Sequence, residues 1–77
     1  MTLAEAVKIR IMELMKEKGF SQYDFYTKGG IAKSTVSQVL NGMRERIALK
    51  TIYEMVSTMG VSLKEFFDDP IFEDISD

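Results

Sequence analysis

Apolar residues recur along the chain at helical spacing. Leu3, Val7, Ile11 and Leu14 fall three and four positions apart, the period that lines one face of an α-helix, and predict a first helix over 3–18. Phe25 stands as the apolar anchor of a short second helix over 22–28. Val36, Val39 and Leu40 mark a third over 33–41. Leu49, Ile52, Val56 and Met59 share one stripe of a fourth over 49–59, and Phe66 and Phe67 belong to a fifth that begins near Leu63. No segment alternates with period two, so no strand is expected.

The boundaries are marked by side-chain chemistry. Thr2, Ser21 and Ser62 each stand three residues before an acid, Glu5, Asp24 and Glu65. In that arrangement hydroxyl and carboxylate satisfy the free N–H groups of a helix start. Gly19, Gly30, Gly42 and Gly60 sit where the helices should stop, since glycine enters the left-handed conformation without a Cβ clash. Pro70 ends the last helix or bends the chain away, and Ile71, Phe72 and Ile75 follow within an acidic tail.

Composition narrows the chemistry. Seventy-seven residues make one small domain, and an apolar fraction of 45% argues against disorder. There is no cysteine and no histidine, which removes disulfides, thiolate metal sites and the commonest acid–base catalyst. An acidic cluster at Asp68, Asp69, Glu73 and Asp74 lacks the glycine and ligand spacing of a calcium loop, so neither metal nor cofactor is expected. No apolar run spans a bilayer and no signal peptide is evident; a cytoplasmic protein without membrane attachment is expected. The net charge of −2 conceals a strong segregation. Residues 1–25 balance; residues 26–53 carry Lys28, Lys33, Arg44, Arg46 and Lys50 against Glu45, a balance of +4; residues 54–77 carry −6. The positive segment is centred on the third helix.

On a helical wheel Val39, Leu40 and Ala32 lie within about 60° of Val36, while Ser34, Gln38 and Asn41 lie opposite, flanked by Ser37 and Thr35. The polar face carries short hydroxyls and amides instead of the glutamate and lysine coat usual on a solvated helix. Such groups both donate and accept hydrogen bonds and suit base edges in a major groove. By composition alone, a polar surface helix rich in Ser and Thr would look the same. The context decides: a short capped helix, a glycine turn, and a second short helix ending in Asn41-Gly42 match a helix-turn-helix, whose second helix enters the groove.

With Ser21-Gln22, Gly30-Ile31, Ser34-Thr35-Val36-Ser37, Asn41-Gly42, and Leu63 to Phe67 after Gly60-Val61, the chain resembles the phage repressor and Cro-like (XRE-type) helix-turn-helix proteins. The resemblance covers nearly the whole chain. It implies an all-α, compact five-helix, lambda-repressor-like DNA-binding domain over 1–69, with 70–77 as an acidic C-terminal tail. It also implies base contacts by Lys33, Ser34, Thr35 and Gln38. Gln22, at the start of the second helix, would touch phosphate, as would Asn41 and the loop after it. Ser21, Lys28, Ser37, Arg44 and Arg46 join them on the expected phosphate surface, where cations and helix N-termini neutralise and bind the backbone.

Three features depart from the family pattern. Tyr26 stands where a small residue usually lets the second helix cross the recognition helix, so its ring must point aside or widen the crossing. Ala32 and Ala48 replace the usual serine or threonine caps, and alanine caps poorly. Met15 and Leu40 stand where many relatives pair Arg with Glu; apolar packing is a workable substitute there, which makes Met15, like most of the methionines, a core residue.

Phe66, Phe67, Ile71 and Phe72 are more apolar surface than the last turns of a small domain readily bury. Either Phe66 closes the core and the others cover it, or Phe67, Ile71 and Phe72 form a contact between two copies, as expected of a homodimer that binds two half-sites. The function expected is sequence-specific occupation of operator DNA by a transcription regulator, with double-stranded DNA as partner. The competing function is an antitoxin-like module that binds another protein. An enzyme has no supporting constellation of residues.

Overall fold

The computed structural model describes residues 1–42 and 46–76. Within them lie α1 (Leu3–Lys18), α2 (Gln22–Gly29), α3 (Lys33–Leu40), α4 (Leu49–Thr58) and α5 (Leu63–Phe67), then a single 3₁₀ turn at Pro70–Glu73; the described residues contain no strand. The expected starts are in place. Thr2, Ser21 and Ser62 each accept a hydrogen bond from the amide three residues on. The reciprocal bond that completes the capping box is present at Ser21–Asp24, where the Ser21 N–H donates to Asp24 Oδ2 at 2.8 Å. Gly19 and Gly30 close α1 and α2 at φ 62°, a conformation costly for any residue with a Cβ.

One apolar cluster joins the helices. Val7, Ile11 and Leu14 of α1 meet Val36, Val39 and Leu40 of α3, and Ile52, Met55 and Val56 of α4 close the other side. Phe25 is the single buried residue of α2, and Phe66 of α5 is fully buried. Burial of side chains this large contributes about 1.5–3 kcal/mol each. The helices pack α1 on α3, α2 on α4 and α2 on α3, so the α2–turn–α3 unit is gripped from both sides.

Some residues expected in the core lie outside it. Leu3 and Leu49 are in phase with their stripes but are 46% and 60% exposed. Each is the first residue of its helix, one turn beyond the last residue with helical neighbours to cover it. Met55 and Met59 are buried and Met15 is partly so, whereas Met1 and Met12 are exposed; Met43 lies outside the described residues.

The C-terminal segment, an acidic tail by composition, is bound to α1, and Phe66 closes the core with Phe72 over it, the first of the two alternatives. The 3₁₀ turn packs on α1, Phe72 is partly buried against the core, and its ring centroid is 5.5 Å from that of Phe66. Arg10 of α1 makes the tie. Its Nε donates to Phe66 O and its Nη2 to Glu65 O, both at 2.9 Å, and its Nη1 lies 3.4 Å from Asp69 Oδ2. The guanidinium therefore caps the end of α5, as the donor to the Phe66 carbonyl and as a second donor to that of Glu65, which also accepts from the Asp68 N–H at 3.3 Å. Asp68, Glu73 and Asp74 remain exposed as expected. The chain ends also meet, with the Ser76 N–H donating to Met1 O at 2.9 Å.

The end of α2 passes very close to α4. A Cβ at Gly29 would lie 2.5 Å from Thr58 Oγ1 and 3.0 Å from Thr58 Cγ2. Thr58 is held there by its hydroxyl, which donates to Glu54 O at 2.7 Å.

Two stability predictions follow from these contacts. Helix propensity alone would favour Gly29→Ala by about 0.5–1 kcal/mol, but forcing a methyl into filled space costs about 1–3 kcal/mol. The substitution is expected to be destabilising by urea denaturation, and most of the loss should vanish in a Thr58→Ala background, where both close atoms are gone. Arg10→Ala should destabilise by about 2–3 kcal/mol, because hydrogen bonds to a charged group contribute about 1.5–3 kcal/mol. Asp69→Asn should lose under about 1 kcal/mol, since the ion pair is partly exposed. Equal losses for the two would show that the ion pair, and not the capping of α5, holds the segment.

Candidate nucleic-acid interface

α3 divides as its pattern demands. Val36, Val39 and Leu40 are 0%, 2% and 6% exposed, while Lys33, Ser34 and Asn41 are exposed and Thr35, Ser37 and Gln38 half-buried. Eight residues give a rod about 12 Å long, and a B-form major groove about 12 Å wide admits such a helix. Ala32 precedes α3 in extended conformation and supplies no side-chain cap. The first amides of α3, which lack an intrahelical acceptor, are therefore not capped by a side chain.

The start of α2 is differently occupied. The Ser21 hydroxyl accepts from Asp24 N–H at 3.3 Å and lies 3.1 Å from Asp24 Oδ2, so its expected phosphate contact competes with its cap. The Ser21 backbone N–H holds the Asp24 carboxyl below its ordinary pKa; the Ser21 hydroxyl and Lys28 act in the same direction, and desolvation opposes them. Lys28 lies 3.7 Å from Asp24 Oδ1 and 5.6 Å from the centre of the Phe20 ring. Its charge is therefore shared within the protein. Gln22 is exposed at the head of the helix.

Tyr26 does point aside. It is half-buried against the core, edge-on to Tyr23 with ring centroids 6.4 Å apart, and the Lys33 ammonium sits 5.7 Å from its ring centre. An ammonium over an aromatic face is held by the ring's quadrupole. The residue marked as a departure at the α2–α3 crossing thus becomes a platform for the first side chain of α3. Tyr23 is 66% exposed on the same helix. The sequence marked Tyr26 as a departure, but the spacing of residues 26 and 33 across a turn carried no sign that the two would meet.

Lys33, Arg46 and Lys50 are exposed and have no carboxylate partner among the described residues; Arg44 lies outside those residues. Ser37 and Asn41 meet each other, with Asn41 Nδ2 donating to Ser37 Oγ at 2.8 Å. Gln38 was expected to stand clear of the core. It is half-buried instead, and its Oε1 is buried without a hydrogen-bond partner. At the far C-terminal segment Phe67 is 37% exposed, while Ile71 and Phe72 are half-buried. Among the described residues no group of three acidic side chains could hold a metal ion, and no helix is long and apolar enough to cross a membrane.

Comparison with known proteins agrees with this geometry. The family model described as helix-turn-helix matches residues 11–66, from the middle of α1 to Phe66. No curated protein and no solved structure matches the chain.

Ala32 lies inside the matched stretch with extended backbone at φ −62°, ψ 141°, a conformation in which a serine hydroxyl can reach the amide two or three residues on. Ala32→Ser should raise stability by about 0.5–2 kcal/mol. Thermal denaturation checks this, and a lower melting temperature would contradict the placement of the start of α3.

Proposed function

The chain belongs to the Cro/C1-type helix-turn-helix family of DNA-binding transcription regulators, and from that premise we propose that it occupies operator DNA sequence-specifically, with α3 along the major groove. In this proposal Lys33, Ser34, Thr35 and Gln38 touch bases. Gln22, Ser37, Asn41, Arg46 and Lys28 lie along phosphates, joined by Arg44 and, with its hydroxyl shared with the α2 cap, Ser21. The observation that carries it is the outer face of α3: small polar groups on a helix whose start has no side-chain cap, in a chain whose Lys33, Arg46 and Lys50 have no carboxylate partner among the described residues. Two copies would occupy half-sites about 34–36 Å apart, and Phe67, with Ile71 and Phe72 beside it, is the proposed contact between them. Residues 1–69 are proposed as the DNA-binding unit and 70–77 as an acidic segment fastened to it.

A salt titration tests the proposal. With about three phosphates neutralised per protomer, by Lys28, Arg44 and Arg46, affinity should fall by about 40-fold between 50 and 200 mM salt. Arg46→Ala should weaken binding uniformly across sequences and make the slope shallower by about one. Absence of binding to any duplex at low salt would overturn DNA occupancy in favour of a module that binds another protein.

A further inference from the structure

The polar groups of α3 are not free to read every base. Gln38 Oε1 is buried, whereas Nε2 makes no hydrogen bond among the described residues and is not buried with it. Turning the amide over would bury two unpaired donors in place of one unpaired acceptor, the costlier arrangement. A glutamine reads adenine with both ends of its amide, the oxygen on N6 and the nitrogen on N7. With the oxygen turned inward, Gln38 offers donors alone.

Its neighbours have the same character. Lys33 carries three N–H donors and no acceptor, and its ammonium is drawn over the Tyr26 ring. Ser37 Oγ already accepts from Asn41, which leaves its O–H to donate. Guanine presents two adjacent acceptors, N7 and O6, in the major groove; adenine sets an amino donor beside its N7, cytosine presents an amino donor, and thymine a single acceptor, O4, beside its methyl group. Donors facing those amino groups gain nothing and lose their water.

Given the DNA-binding function proposed above, on which this rests, we infer that Gln38 and Lys33 form a donor-only part of the recognition face, selective for guanine edges, beside the Ser34 and Thr35 hydroxyls, which both donate and accept. Gln38 and Lys33 are its specificity-determining residues, and Tyr26 is the positioning residue that sets where the Lys33 ammonium stands.

Selection of bound duplexes from a random pool, by the wild-type chain and by Gln38→Ala and Lys33→Ala, assigns the base pair each side chain reads. Guanine is expected at both positions, and 7-deazaguanine placed there should weaken binding about tenfold. Tyr26→Phe, which keeps the aromatic face, should keep the preference assigned to Lys33. Tyr26→Leu fills similar space without that face and should relax the preference to near-even base usage, with an unchanged salt slope and a cooperative melt; Tyr26→Met carries the same comparison if the leucine variant does not fold. Adenine at the pair assigned to Gln38, or a selected sequence indifferent to Gln38→Ala, overturns the donor surface. An unchanged preference in the folded Tyr26→Leu or Tyr26→Met variant overturns the positioning role. Failure of the wild-type chain to bind any duplex at low salt overturns DNA binding itself, and is told apart from those outcomes because no sequence is then selected at all.

Discussion

The orientation of α3, the proposed recognition helix, depends on how one phenylalanine is held. α2 has eight residues and buries one of them, Phe25. Its ring meets Phe20 edge-on with centroids 4.8 Å apart, and its carbonyl accepts from both Gly30 and Ile31 as the chain turns. The side chain thus fixes α2 in the core while its own backbone fixes the turn. α3 begins two residues after Ile31, so its direction follows from that arrangement. A helix this short has too few internal hydrogen bonds to persist without tertiary packing, which concentrates the requirement on a single buried ring.

Much of this was legible in the chain. Hydroxyl–acid spacing located three helix starts, glycine located the ends, and three-and-four periodicity gave the inner faces, because each is a short-range rule. What escaped was long-range. Arg10 has no local signature that points to Glu65, Phe66 and Asp69, more than fifty positions away. The binding of the last segment to α1 was missed for the same reason: acidic composition reads as solvated, and one cation from another helix reverses that for Asp69. Leu3 and Leu49 show the limit of periodicity, which reports phase around a helix but not whether a neighbour extends far enough to cover its first turn. At the interface, the outward polar face of α3 was evident, whereas the inward turn of the Gln38 oxygen and the meeting of Tyr26 with Lys33 depend on rotamers that only packing sets.

The charge map gains meaning from the same contacts. The segment 54–77 carries −6, and a loose arm with that charge could compete with a polyanion for the cations of its own chain. Arg10 holds the region from Glu65 to Asp69 on α1, and the chain ends are joined beyond it. Pinned there, the acids leave Lys33, Arg46 and Lys50 without a carboxylate partner among the described residues. Lys28 is the exception, being shared with Asp24, so its electrostatic contribution to a complex is smaller than its formal charge suggests.

The close passage of Gly29 beside Thr58 also bears on how the molecule would meet a duplex. The Gly29 backbone lies against the Thr58 side chain with no room for a methyl between them, which holds the end of α2 on α4. The reading head is therefore shaped during folding, and no ordering penalty is deferred to the moment of encounter. Accommodation to an imperfect site then falls to the bending of the nucleic acid and to the long, solvent-facing side chains, while the helical frame arrives as a rigid template.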